Sequence, residues 1–384
     1  MQRTVKIQLT TTPEQAQALS ETLQQFTQAF NQVCAYGWQH GEKNGVKLHH
    51  ATYYETKAAC SGLVSDLLIQ ARIKATETLK SAFDRQKKGR KTGCPRSRSC
   101  AVRYNVHTYI LNWSTSTVRL STVAGRISIP FKVPPYSAKY AGGEIATADL
   151  CLRNGKYWLH VVVSLPDPDI PATSDVIGVD LGLNRPAVTS ERHFLGNRHW
   201  KEVDRRRFRL KRKLQSKGTK SAKRHLKKVS GKGLRFHRDC DHVLSKRIVQ
   251  HATPGSTIVL ENLTHIRSTS KIGGRTGKKR ETKRRLHSWS FAQFHNFLSY
   301  KAQERGMHVV KVDPRHTSQT CSFCHFQHRS NRRSQSLFKC RECGYTLNAD
   351  LNASYNIREK HLARVGRPFA SGSPSCGLSS QSSD

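Results

Sequence analysis

Residues 321–352 decide the fold: Cys321-Ser-Phe-Cys324, fifteen intervening residues, Cys340-Arg-Glu-Cys343, and then Asn348-Ala-Asp350-Leu-Asn352. Two Cys-x-x-Cys knuckles at this separation can present four thiolates tetrahedrally to one zinc ion. The spacing therefore predicts a structural Zn²⁺ site held by Cys321, Cys324, Cys340 and Cys343. Asp350 follows the second knuckle within a turn or two, ahead of the helical pattern Leu351, Ala353, Tyr355 and Ile357. A carboxylate so close to a metal ribbon draws attention to the other acids of the chain.

Acids are scarce, with 26 Asp and Glu against 66 Lys and Arg, a formal net charge of +40. Two of them end apolar strand patterns: Asp180 after Val176-Ile-Gly-Val179, and Glu261 after Thr257-Ile-Val-Leu260. A carboxylate at the end of a buried strand costs free energy unless something positive meets it, and a divalent cation is one such partner. Taken singly, Asp180 suits a turn, Glu261 a cap and Asp350 a helix start. Taken together on a basic chain, Asp180, Glu261 and Asp350 are the candidate catalytic residues, able to hold a Mg²⁺ pair about 3.5–4 Å apart for phosphodiester hydrolysis. Asp175, Asp239, Asp241 and Asp313 stand in reserve.

The charge names the partner class. A chain at +40 attracts polyanions, and nucleic acid is the default. A membrane is not expected, because no apolar run approaches about 18 residues and residues 1–10 lack the apolar region of a signal peptide. The expected location is inside the cell, in the cytoplasm and with the nucleoid. Cys34, Cys60, Cys94, Cys100, Cys151, Cys240 and Cys376 are expected as reduced thiols.

Along the chain, residues 3–10 alternate polar and apolar and predict a strand with one buried face. Thr12, Pro13 and Gln15 then form a helix start with a capping box, followed by Leu19, Leu23, Phe26, Phe30 and Val33 at helical spacing. A second helix is expected over residues 65–86. From about residue 103 to 166 the period becomes two, and Asn154-Gly155 between two such runs signals a hairpin, since a type I′ turn needs positive φ twice. Pro166, Pro168 and Pro171 mark a linker. Between residues 205 and 228 lies a dense basic stretch whose Arg205, Arg206, Arg207, Arg209, Lys211, Arg212, Lys213, Lys223, Arg224, Lys227 and Lys228 are candidates for nucleic-acid backbone contact. Trp289, Phe291 and Phe294 fit either a core or a base-stacking surface. The Ser- and Gly-rich residues 363–384 are expected to be a disordered tail.

The ordered set Ile177-Gly-Val-Asp180-Leu-Gly, Val259-Leu-Glu261-Asn-Leu, Val312-Asp-Pro-Arg-His-Thr-Ser-Gln-Thr-Cys321-Ser-Phe-Cys324, Phe338-Lys-Cys340-Arg-Glu-Cys343-Gly and Asn348-Ala-Asp350-Leu-Asn352-Ala-Ser-Tyr-Asn356-Ile resembles the TnpB family, densely over 175–357 and diffusely over 1–166. The family comprises insertion-sequence proteins of transposable elements, related to type V CRISPR effectors. The resemblance implies a multidomain α+β chain: a β-barrel wedge domain (1–11 and 93–166) with an inserted helical recognition lobe (12–92), then an RNase H-like (RuvC-like) α/β nuclease domain (167–312 and 347–362) with an inserted zinc ribbon (313–346). It implies a guide RNA and a double-stranded target DNA cut next to a short motif, with Asp180, Glu261 and Asp350 as the Mg²⁺-binding triad and the four cysteines as zinc ligands. If pairing with a guide reads the sequence, the protein needs a cationic channel more than a base-reading code.

Two departures stand out. His325 occupies the place after a knuckle where glycine commonly sits, whereas Gly344 keeps it. It would distort the first knuckle or act as an alternative ligand. Asn184-Arg-Pro186 after the first motif is also unusual. Three alternatives compete with the endonuclease: a cleavage-deficient RNA-guided DNA-binding repressor, an RNA-independent transposase or junction resolvase, and a compact type V CRISPR effector. The sequence leaves the oligomeric state open.

Overall fold

The computed structural model describes residues 1–264, 266–269 and 277–366, and the chain divides between Pro166 and Asp167 into two compact units. The first opens with β1 (Gln2–Leu9), whose alternation buries Val5, Ile7 and Leu9. Three helices follow: α1 (Pro13–Gln39), α2 (Gly45–Ala59) and α3 (Ser65–Lys87). The capping box at α1 is present, with Gln15 N donating to Thr12 Oγ1 at 3.3 Å and Thr12 N to Gln15 Oε1 at 3.1 Å. Helix α2 escaped the sequence pattern because it buries only Leu48, Thr52 and Thr56 and so shows little apolar periodicity. Its start is set by Asn44, whose Oδ1 accepts from the Val46 and Lys47 amides.

The chain then forms β2 (Val102–Tyr104), β3 (Tyr109–Asn112), β4 (Thr117–Thr122), β5 (Gly125–Lys132), β6 (Glu144–Arg153) and β7 (Lys156–Ser164). With β1 they make one sheet in the order β2-β6-β7-β1-β5-β4-β3. The N-terminal strand therefore finds its partners among strands more than a hundred residues away, between β7 and β5. Asn154 and Gly155 join β6 to β7 with φ of 53° and 73°. The expected barrel is not closed by a ladder, since β2 and β3 are the two ends of the order. Tyrosines span the ends instead: Tyr104 of β2 donates its hydroxyl to the Ser121 carbonyl of β4 at 3.2 Å, and Tyr109 of β3 to that of Ala146 in β6 at 3.5 Å.

The second unit begins with β8 (Val176–Asp180), β9 (Ala187–Thr189) and β10 (Phe194–Leu195), then two long helices, α4 (Arg198–Lys217) and α5 (Lys220–His251). The basic stretch is thus a helical hairpin, broken where Gly218 closes α4 at φ 64° and Thr219 caps α5. Strand β11 (Thr257–Glu261) leads through α6 (Ile266–Thr269), α7 (Gly277–Ser288) and α8 (Phe291–Gln303) to β12 (His308–Val312). Last come β13 (Leu337–Lys339), β14 (Thr346–Asn348) and α9 (Ala349–Arg364). Helix α9 runs two residues past the expected tail boundary at 362. The rest of that tail from 367, Cys376 included, lies outside the described residues.

The second sheet has the order β10-β9-β8-β11-β12, with β8, β11 and β12 parallel. A parallel sheet needs both faces covered, which is why its two inner parallel strands, β8 and β11, carry continuous apolar runs. On one face Leu244 and Ile248 of α5 and Phe294 and Leu298 of α8 pack against Ile177, Val179 and Ile258. Phe294 is fully buried there, which removes it from any base-stacking surface. On the other face α9 packs over β8 and sets Ile357 against Val259 and Val312. Gly178 makes that approach possible: a Cβ there would lie 2.1 Å from the Ser354 carbonyl oxygen and 2.7 Å from the Arg358 nitrogen. Among the described residues, no helix is long and apolar enough to cross a membrane.

Candidate active site

Strand order in this sheet reverses between β8 and β11, and open α/β sheets bind ligands outside the carboxyl ends of their strands at such a point. The register places Leu260 opposite Val179, so Asp180 and Glu261 end neighbouring parallel strands there. Asp350 arrives from α9. Asn348 caps that helix, its Oδ1 accepting from the Asp350 and Leu351 amides at 3.1 and 3.2 Å. Asp350 therefore sits in the first turn, where the helix dipole favours a carboxylate.

Burial raises the Asp180 carboxyl well above the usual range, and the neighbouring Glu261 and Asp350 raise it further, while Arg332 opposes them. Burial likewise raises Glu261, against the hydrogen bond that Thr317 Oγ1 donates to its Oε1 at 2.6 Å. Arg332 Nη2 donates to Asp350 Oδ1 at 2.9 Å. Asp180 therefore lies among Glu261, Asp350 and the Arg332 guanidinium, and Lys360 adds a second positive charge near Glu261. As a donor set the three carboxylates are all oxygen and suit a hard divalent cation. Among the described residues they do not form a tight preformed cluster, since only the cysteine set gathers three or more ligand atoms closely.

That cysteine set fits zinc. The four Sγ atoms lie within 4.8 Å of one another, with Cys321 to Cys343 at 3.8 Å and Cys324 to Cys340 at 3.6 Å. A regular tetrahedron with Zn–S bonds of about 2.3 Å has S···S edges of about 3.8 Å. His325 is not one of the set. It instead supplies the left-handed turn after the first knuckle, at φ 61°, as Gly344 does after the second at 72°. The knuckle keeps its path at the conformational cost that glycine would have avoided.

Several residues of the site carried no role in the sequence reading. Arg332 and Thr317 lie in the segment between Glu261 and Asp350 and connect that segment to both carboxylates. Asn352 and Asn356 of α9 strap the same segment down: Asn352 Nδ2 donates to the Thr320 carbonyl, and Asn356 Nδ2 to those of Thr317 and Thr320. Fully buried Asn331 braces the ribbon, donating to the Gln319 and Phe326 carbonyls and accepting from the Arg341 amide. The spacing of four between Asn348, Asn352 and Asn356 places them on one helix face and was a usable signal. Nothing local marked Arg332 among its basic neighbours.

Of the reserve acids, Asp313 lies close enough to Glu261 to raise it, and Asp241 is buried and accepts from Gln293 at 2.8 Å. Nine of the eleven basic backbone candidates are exposed on α4 and α5, while Arg207 and Lys211 are partly buried. Arg207 stacks on Phe236 at 4.3 Å across the hairpin. Trp289 packs on Phe291 at 4.6 Å.

Residues 291–357 match the family model for the Cas12f1-like TNB domain. The chain is 28% identical over 232 residues to the CRISPR-associated endodeoxyribonuclease Cas12f1 of Sulfoacidibacillus thermotolerans, covering 56% of this chain and 52% of that one. It is 31% identical over 157 residues to the TnpB-like protein MJ0751 of Methanocaldococcus jannaschii, covering 41% and 54%. The chain thus spans about half the length of these relatives. Its fold matches that of Cas12f1 in a cryo-EM complex with sgRNA and target DNA at a TM-score of 0.61 and 16% identity, over 90% of this chain and 83% of that one. In sequence and fold, the chain is a relative of the TnpB-like and Cas12f1 proteins.

Proposed function

We propose that the chain is an RNA-guided, Mg²⁺-dependent DNA endonuclease of the TnpB type, with its second unit an RNase H-like nuclease. One observation carries this reading: Asp180, Glu261 and Asp350, 170 residues apart in sequence at the extremes, converge at the carboxyl ends of parallel strands, where Glu261 and Asp350 both raise the Asp180 carboxyl and Arg332 bonds Asp350. Bound Mg²⁺ would neutralise the carboxylates, activate water and stabilise the leaving oxygen of a phosphodiester. Asp180, Glu261 and Asp350 would hold it. Thr317 fixes the orientation of Glu261, and Arg332 offers positive charge to a phosphate arriving beside Asp350. The exposed arginines and lysines of α4 and α5 would track guide RNA or heteroduplex backbone without reading bases. The four-cysteine ribbon would hold zinc and carry Arg332 and nucleic acid to the carboxylates. The named activities of the relatives support the same reading.

The test uses the full chain purified with its RNA, a matched double-stranded target and Mg²⁺. Cutting by the parent, abolished by Asp180→Ala or Glu261→Ala with target binding retained, is the expected result. Binding without cutting by the parent would make it a guided repressor, and absence of a defined RNA would remove guidance altogether.

A further inference from the structure

A cavity of about 540 Å³ opens beside the loop that follows Asp180, lined by Gly182 to Pro186, by residues between Phe194 and Arg205, and by α5 and α7. The unusual Asn184-Arg-Pro186 string builds its wall. Asn184 Oδ1 accepts from Lys201 Nζ and from Arg285 Nη1, each at 3.2 Å, and Arg285 also donates to the Leu183 carbonyl. Pro186 closes against Gly196, whose φ is 121° and where a Cβ would lie 2.5 Å from the proline ring. Trp200, Phe236 and Trp289 contribute aromatic faces to the lining. Phe194, 41% exposed, carries the Arg185 guanidinium 4.9 Å above its ring. Arg198, Lys201, Arg205 and Arg285 add positive charge against the carboxylates of Glu202, Asp204 and Asp241, which can accept hydrogen bonds.

We propose that this cavity receives one unstacked nucleobase of the nucleic-acid strand whose phosphodiester lies at Asp180, Glu261 and Asp350. The inference rests on the nuclease reading above. A purely apolar ligand has no use for four cations, and a bare phosphate has no use for indole faces. A nucleotide uses both, its base between aromatic side chains and its phosphate among the arginines. The volume lies within the range of small-molecule sites. Gly182 follows Asp180 by two residues, so their Cα atoms are at most about 7 Å apart. The cavity thus opens within one loop of Asp180, and a base held there would restrain the path of the backbone at the carboxylates.

The experiment uses the full chain with its copurified RNA and a single-stranded oligodeoxynucleotide complementary to that RNA's guide segment and carrying 5-iododeoxyuridine. Irradiation should crosslink it to Trp200, Phe236 or Trp289, located by peptide mass spectrometry. In parallel, affinity is compared for a base-bearing and an abasic oligonucleotide of equal length. Trp200→Ala should weaken the base-bearing strand about five-fold or more and leave the abasic one within about two-fold, while Trp200→Phe retains most of the preference. Because Trp200 also packs against the sheet core, crosslinking of the parent decides the matter if Trp200→Ala does not fold. Crosslinks confined to the outer faces of α4 and α5, with equal base preference in parent and variant, would overturn the pocket and leave the nuclease reading intact. A crosslink formed by free 5-iododeoxyuridine monophosphate but not by the oligonucleotide would overturn it in favour of a soluble nucleotide. No oligonucleotide binding by the parent would instead break the nuclease reading itself.

Discussion

The two sheets of this molecule are built in opposite ways. In the first unit, three of the six antiparallel neighbour pairs are joined by short turns, as at Asn154-Gly155, and polar and apolar residues alternate along β1 and β7. In the second, the parallel strands β8 and β11 carry apolar runs that end in Asp180 and Glu261, and the chain returns to the sheet only after long excursions, through α4 and α5 before β11 and through α6 to α8 before β12. A hairpin spends few residues between partners, so a change in it has local consequences. A parallel sheet gathers residues 180, 261 and 350 at one edge, so a change that loosens any excursion reaches all three. Chemistry that needs converging carboxylates belongs to the second arrangement.

Zinc removal should separate the two units most sharply. Structural zinc sites in small modules contribute about 10–16 kcal/mol of apparent binding free energy that is also folding free energy. Chelation, or Cys340→Ser, should release Arg332 and Thr317 from the carboxylates and abolish cleavage, while amide exchange in β1, β6 and β7 stays as slow as in the parent. Faster exchange in those strands would show that the ribbon governs both units. Loss of RNA binding equal to loss of cleavage would make the ribbon a general folding element.

Gly178→Ala comes next. Its Cβ would meet backbone atoms of α9 that have no rotamer to yield, so a loss of about 3 kcal/mol is expected from overpacking. Thermal unfolding of the second unit and the cleavage rate should fall together. An unchanged melting temperature would mean that α9 does not rest on β8 as described.

Asp204 offers a pH test within the second unit. Hydrogen bonding from His237, then the charge and hydrogen bond of Arg284, lower its carboxyl to about 2. A carboxyl lowered on folding stabilises the protein above its unfolded value and loses that contribution as pH falls through the folded one. Asp204→Asn should therefore cost about 2 kcal/mol near neutrality and progressively less from about pH 4 down to 2, measured by denaturant titration at each pH. A cost independent of pH over that window would assign the effect to packing.

The smallest changes are at turns. Gly155 has φ of 73° and no atom within 4 Å of a would-be Cβ, so Gly155→Ala should cost about 1 kcal/mol through backbone strain alone and leave cleavage unaltered. His325→Gly should do the reverse in the ribbon, gaining about 0.5 kcal/mol with zinc affinity kept or improved. Weaker zinc binding in His325→Gly would show that the imidazole supports the metal.

Sequence alone determined the local devices: the Thr12 capping box, the positive-φ hairpin turn, the two knuckles and the strand ends at Asp180 and Glu261. Each is encoded within a few residues, where sterics and hydrogen bonding over one turn suffice to specify it. Helix α2 was missed because it is nearly all surface, and Phe294 fitted either a core or a stacking surface, a choice its complete burial settles for the core. Only the tertiary structure decided that Tyr104 and Tyr109 span the ends of the first sheet, that Gly178 lets α9 carry Asp350 to β8, and that Arg332 is the cation that meets Asp350. Those outcomes depend on contacts between residues far apart in the chain, and such contacts are fixed by which surfaces can approach once both faces of a sheet are covered.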